Sequence, residues 1–179
     1  SLAARMIFVY RGNELTIQGT GTDTAPTLIF DGGSFSSGKE TQMFSVGTSN
    51  SNYAATLNIK PGVKIQNNVC TGNGSAVVGF GTVNISGGVI TANTSTGNGG
   101  GILVSNNGKL TITGGTITGN NGGVGDDIYV VAHANNSVGL SGTVNVGKVY
   151  LAAGESIALD GNMIVGSVIS IVMPAYEEG

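Results

Sequence analysis

Leu110-Thr-Ile112-Thr-Gly114-Gly115-Thr-Ile117-Thr-Gly-Asn120 decides how this chain is read. Leu110 and Ile112 alternate with threonine, the period of a strand that sends every second side chain to one face. Gly114-Gly115 then supplies a bend where a Cβ would clash or φ must be positive. Ile117 marks a second short strand with one inward side chain, and an asparagine follows three residues later. The same grammar stands at Val83-Asn-Ile85-Ser-Gly87-Gly88-Val-Ile90 and at Leu57-Asn-Ile59-Lys-Pro61-Gly62-Val-Lys-Ile65. An earlier copy reads Leu28-Ile-Phe30-Asp-Gly32-Gly33-Ser-Phe35, and a weaker one runs from Val138-Gly-Leu140 through Val144-Asn-Val146. Their first residues, Leu28, Leu57, Val83, Leu110 and Val138, lie 29, 26, 27 and 28 residues apart. A repeat of this length indicates a solenoid, in which one unit buries its apolar edge only against its neighbours.

A further triplet recurs out of phase with the first, at Leu15-x-Ile17, Phe44-x-Val46, Val77, Ile102-x-Val104 and Ile128-x-Val130. Three short strands per repeat make a triangular coil, and no long window carries the 3.6-residue spacing of a helix. The expected fold is therefore all-β: a single-stranded right-handed parallel β-helix of about six coils of roughly 27 residues, with three parallel sheets. The chain reads as one domain, with residues 1–14 as an N-terminal cap or incomplete coil, 15–148 as regular coils and 149–179 as a closing segment. Stacking puts like on like, so Ile59, Ile85 and Ile112 should form one interior column and Ile65, Ile90 and Ile117 another. Asn68, Asn93 and Asn120, each three residues beyond the inward isoleucine, should form a ladder of stacked amides at a turn.

Composition agrees with a polar skin over an aliphatic interior. Of 179 residues, 32 are glycine and only 3 proline; 9% are charged against about 25% in an ordinary chain, and 40% are hydrophobic. The net charge is −3 and the 7 lysines and arginines are scattered, so no basic stripe is present to neutralise phosphates and nucleic acid is not an expected partner. No apolar run approaches about 18 residues, so membrane insertion by this segment is not expected. Cys70 is the one cysteine, which leaves no internal disulfide. The opening SLAARMIFVY has an apolar stretch too short for a signal peptide.

The stretches LTITGGTITGN, GNGGGILVSNNGKLTI and DDIYVVAHANNSVGLSG resemble the right-handed parallel β-helix repeat proteins of bacterial surfaces, the adhesin-like members of the pectate-lyase-like superfamily. VYLAAGESIALDG is similar to their closing segments, and the resemblance covers about Leu15 to Ser170. It implies an extracellular or cell-surface location on a bacterium, as part of a larger protein, with a glycan or a host or neighbouring surface protein as partner. The superfamily also holds polysaccharide lyases and glycoside hydrolases, so a catalytic or carbohydrate-binding reading is the alternative to a non-catalytic adhesin-like or structural one.

Candidate chemistry is sparse. Asp126-Asp127 is the adjacent acidic pair of the chain's body and the candidate for catalysis, but neighbours on a strand point to opposite faces, whereas glycoside hydrolysis needs two carboxyls at a set separation. Gly122-Gly123-Val-Gly125-Asp126-Asp127-Ile-Tyr129-Val matches one calcium-binding nonapeptide, which makes the same two acids the candidate metal ligands. No second copy follows, and no cofactor is expected. His133 alone offers too little for zinc. Tyr53, Tyr129 and Tyr150 are the candidates for stacking on a sugar ring.

Overall fold

The computed structural model describes residues 7–33, 42–49 and 55–174. Among these residues the chain is all-β, and every pairing between named strands is parallel. The strands fall into three stacked sets. The first set holds β2 (Glu14–Ile17), β5 (Thr56–Ile59), the openings of β9 (Thr82–Thr91), β12 (Lys109–Ile117) and β14 (Ser137–Leu151), and β15 (Ile157–Met163). The second holds β3 (Leu28–Asp31), β6 (Val63–Gln66), the later parts of β9, β12 and β14, and the start of β16 (Val168–Val172). The third stacks β1 (Ile7–Val9), β4 (Phe44–Val46), β8 (Val77–Gly79), β11 (Ile102–Val104), β13 (Ile128–Val130) and the end of β14.

The sets are not three separate sheets. They are hydrogen-bonded into one 14-stranded sheet, with a further pair of short strands, β7 (Val69–Cys70) and β10 (Thr94–Ser95), beside it. The cause lies at the glycine bends. β9 and β12 continue as single strands through Gly87-Gly88 and Gly114-Gly115, with register shifts between Ile112 and Gly114 and between Gly114 and Thr116, and Gly87 and Gly88 themselves have no register partner. Gly88 and Gly115 both have φ of +96°, and a Cβ on Gly115 would press on the backbone of Gly87 in the coil before it. Only glycine turns this corner while the next coil sits on top.

Inward side chains stack in register. Ile59 pairs with Ile85 and Ile85 with Ile112; Ile65 pairs with Ile90 and Ile90 with Ile117; all six are fully buried. They belong to one continuous core with Leu57, Val83, Leu110, Phe44, Ile102 and Ile128. Burial of each such side chain stabilises the fold by roughly 1.5–3 kcal/mol.

The first coil departs from the expected alignment. Leu28-x-Phe30 pairs with Val63-x-Ile65, so it belongs to the second strand set, while Leu15-x-Ile17 pairs with Leu57-x-Ile59 and belongs to the first. Residues 18–27 are inserted at this corner, and they separate two strands that the next coil joins through the three residues Lys60, Pro61 and Gly62 and that β9, β12 and β14 carry as one continuous strand. The insertion folds on itself: Thr27 Oγ1 accepts the N–H groups of Thr20 and Gly21, and Asp23 Oδ1 accepts the Gly62 N–H. Ile7-x-Val9, not Leu15-x-Ile17, heads the third set. The period is thus uneven. Leu15, Leu57, Val83, Leu110, Val138 and Ile157 head six layers 42, 26, 27, 28 and 19 residues apart, so only the middle coils keep the spacing near 27.

A charge in an inward column would face the layers above and below with no partner, so Ile85→Asp is expected to abolish cooperative unfolding by circular dichroism. Thr113→Asp, at an exposed position of the same sheet, should shift stability by no more than about 0.5 kcal/mol.

Candidate functional site

Between the second and third strand sets each middle coil throws out an arm, and the candidate acids lie at the C-terminal end of the stack of arms. Asn68, Asn93 and Asn120 occupy equivalent places there and are buried. The amide oxygen of Asn93 accepts the Asn68 N–H at 3.1 Å, and that of Asn120 accepts the Asn93 N–H at 3.1 Å and its Nδ2 at 2.9 Å. The Nδ2 groups of the later two also reach back one coil, Asn93 to the Ile65 carbonyl and Asn120 to the Ile90 carbonyl, while Asn68 Nδ2 donates to the Ser75 carbonyl of its own coil. Backbone groups that a sharp turn would strand inside the molecule are thereby satisfied.

Asp127 ends this ladder. The next coil has no arm: two residues of β14 lie between Val146 and Val149, where the coil before it puts ten between Ile117 and Ile128. No asparagine from above is there to accept the Asn120 donors. Asp127, buried in the same coil as Asn120, does so instead: Oδ1 accepts Asn120 N at 3.0 Å and Nδ2 at 2.9 Å, while Oδ2 accepts Lys148 N from the next coil at 2.8 Å. A Cβ on Gly147 would overlap this carboxylate, so glycine makes the room it needs.

Asp126 points elsewhere. Its Oδ2 meets Lys148 Nζ at 2.8 Å and its Oδ1 accepts the Gly122 N–H at 3.2 Å. The Lys148 ammonium holds this carboxyl below the usual carboxylate range, and Asp126 in turn raises Lys148 above the usual ammonium range. The two candidate acids are therefore adjacent in sequence and divided in space: one is sealed under the ladder, the other forms a surface ion pair. They do not face a common volume, as a general acid and base must. An ammonium already occupies the place of a cation beside Asp126, and no group of three or more His, Cys, Asp or Glu that could hold a metal occurs among the described residues.

Tyr129 and Tyr150 are register partners on the outer side of the third strand set, with ring centroids 5.2 Å apart and planes 11° from parallel. Each ring gives one face to the other, and Leu103 and Val172 stand next in the row on either side. The faces that would receive a sugar are directed along the stack rather than outward. Tyr53 lies outside the described residues. His133 lies in the turn after β13, where its N–H is held by Glu155 Oε1 from the following coil.

Three features were not legible as a group in the sequence: the Lys148 partner of Asp126, Gly147 beneath Asp127, and an outward polar row in which Asn84 donates to Asn58 Oδ1 and Asn58 to Glu14 and Thr16. The shortened interval after Val146 was the available signal for the first two. Comparison with family models, with curated proteins and with solved structures yields no match.

Removing the ladder's end group strands two buried donors of Asn120 and the part-buried Lys148 N–H, and a buried donor left unpaired costs about 1–3 kcal/mol. Asp127→Ala is accordingly expected to cost about 2–5 kcal/mol in urea unfolding, and Asp126→Asn far less at neutral pH because its partner is exposed. The second variant should instead alter the pH profile. A depressed folded pKa contributes stability that is present above the unfolded value, about 4, and lost as pH falls through the folded value. The raised Lys148 contributes stability that is present below its unfolded value and lost as pH rises through the folded one. Urea midpoints of Asp126→Asn should therefore fall less steeply than wild type at both the acid and the alkaline extremes.

Proposed function

We propose that this chain is a right-handed parallel β-helix that serves as a non-catalytic, adhesin-like or structural domain of a secreted or surface-exposed bacterial protein. The handedness is supported by chirality: parallel strands joined by crossovers in one sheet are right-handed in about 98% of cases. The observation that carries the functional reading is the fate of Asp127. The most enzyme-like position in the sequence spends both carboxylate oxygens on N–H groups of Asn120 and Lys148, where a catalytic or metal-binding carboxylate would keep an oxygen for its substrate or ion. The amides of Asn58 and Asn84 are likewise joined to each other along the outer face.

Such a domain holds something at a distance from a surface, or offers a long regular wall to a glycan or a neighbouring surface protein. Resistance to unfolding matters more to that role than a shaped pocket, and internal satisfaction of polar groups serves it. The surface-protein resemblance in GG-x-I-x-x-N and GGG-I-x-V supplies the bacterial and extracellular part of the proposal.

Incubation with acidic and neutral polysaccharides, followed for new reducing ends and for the ultraviolet absorbance of unsaturated products, should give no turnover above buffer. Turnover that Asp126→Ala or Asp127→Ala abolishes, with the fold retained, would replace this reading by a lyase or hydrolase. Specific binding on a glycan array without turnover would make the domain a carbohydrate-binding module.

A further inference from the structure

We infer that Asn121 is a self-modification site: the Gly122 backbone nitrogen attacks its side-chain amide, and the asparagine converts to aspartate and isoaspartate ahead of the chain's three other Asn-Gly pairs. The four pairs are Asn73-Gly74, Asn98-Gly99, Asn107-Gly108 and Asn121-Gly122. In each the residue after asparagine has no Cβ to obstruct closure of a five-membered ring, so the sequence ranks them alike. The fold does not.

In the reaction the glycine nitrogen gives its proton to water or hydroxide and bonds to the asparagine Cγ. The bond from Cγ to the side-chain nitrogen breaks, and ammonia leaves. Water then opens the succinimide at either carbonyl, giving aspartate or isoaspartate. Attack therefore needs a glycine amide that solvent reaches and that can leave its hydrogen bond. Gly74, Gly99 and Gly108 are buried, whereas Gly122 is half-buried and Asn121 beside it is exposed. Gly74 N donates at 2.9 Å to the Asn98 carbonyl of the next arm, and Gly99 N at 3.0 Å to the Val124 carbonyl of the arm after that. Gly108 N donates both to the Ser105 carbonyl and to Asn136 Oδ1. Two of those asparagine side chains are also held: Asn73 Oδ1 accepts the Asn98 N–H, and Asn107 Oδ1 accepts Asn135 Nδ2.

Asn121-Gly122 belongs to the last arm, and the coil that follows runs straight through the place where another arm would cover it. Among the described residues its glycine amide is held by Asp126 Oδ1 at 3.2 Å, the long end of an N–H···O bond. The charge of that carboxylate, which would oppose loss of the amide proton, is paired with Lys148. Conversion also changes the arm. Asn121 N donates to the Asn93 carbonyl, and the Asn121 carbonyl accepts the Ser95 N–H. Isoaspartate routes the main chain through the former side chain and lengthens it by one methylene, so the two bonds cannot both persist and the last arm loosens from the one before it. The arm thereby carries a one-way covalent record of the protein's age.

Incubation of the folded chain at mildly alkaline pH tests this, with isoelectric focusing to reveal new acidic forms and peptide mapping to place them. Asn121 is expected to convert about tenfold faster than Asn73, Asn98 or Asn107, the rate equivalent of one net hydrogen bond on the glycine amide. In urea all four should convert at comparable rates. Asn121→Gln, whose longer side chain would have to close a six-membered ring, should lose the fast acidic form while its circular dichroism matches wild type. Three results would overturn the inference: a folded chain in which any of the other three pairs converts as fast as Asn121; a folded chain in which Asn121 stays an amide while the urea-unfolded chain converts it; or a fast acidic form that persists in Asn121→Gln.

Discussion

Parallel backbone pairing between residues one coil apart is the constraint on which the rest of this structure depends. Once Ile59, Ile85 and Ile112 are hydrogen-bonded neighbours, their side chains must share a column, and the column is either all apolar or it fails. The low charge content follows from the same geometry. In parallel stacking each outward side chain meets its equivalent above and below, so like charges would recur at the strand spacing, whereas asparagine, serine and threonine can bond to their own kind.

The asparagine arm shows how local chemistry adapts where the repeat ends. A ladder of amides needs an acceptor at its last rung. While arms continue, the next asparagine provides it; where the arm is lost, Asp127 curls in from the same coil and its second oxygen fastens the coil that follows. A carboxylate suits the place because it accepts at both oxygens and donates at neither. The feature that looks most like an active site in the sequence is, in the fold, the terminus of a structural network.

Legibility in the sequence was uneven for physical reasons. Middle coils could be read because nothing is inserted between their first two strands: Val83 to Ile90 and Leu110 to Ile117 differ by one period and share every inward position. The first coil could not, because apolar alternation marks a strand without saying which strand set it belongs to. Leu28-x-Phe30 has the same pattern as Leu57-x-Ile59, and only the insertion of residues 18–27 moves it to the next set. The merging of three sheets into one was hidden for a related reason, since Gly-Gly signals a bend but not whether hydrogen bonding continues through it. At the site, the division between Asp126 and Asp127 follows from strand alternation, while the Lys148 partner required knowing that the last coil is short.

In-register stacking is tested most directly by cross-strand disulfides in a Cys70→Ser background. Asn84 and Thr111 are register partners on the outer face, and Asn58 lies one layer further along the same row. Adjacent parallel strands are about 4.8 Å apart, within the ~4.4–6.8 Å Cα separation a disulfide spans, and two layers are not. Asn84→Cys/Thr111→Cys should therefore oxidise to an intramolecular bridge and Asn58→Cys/Thr111→Cys should remain reduced. Failure of the first pair to close while the second closes readily would contradict the account.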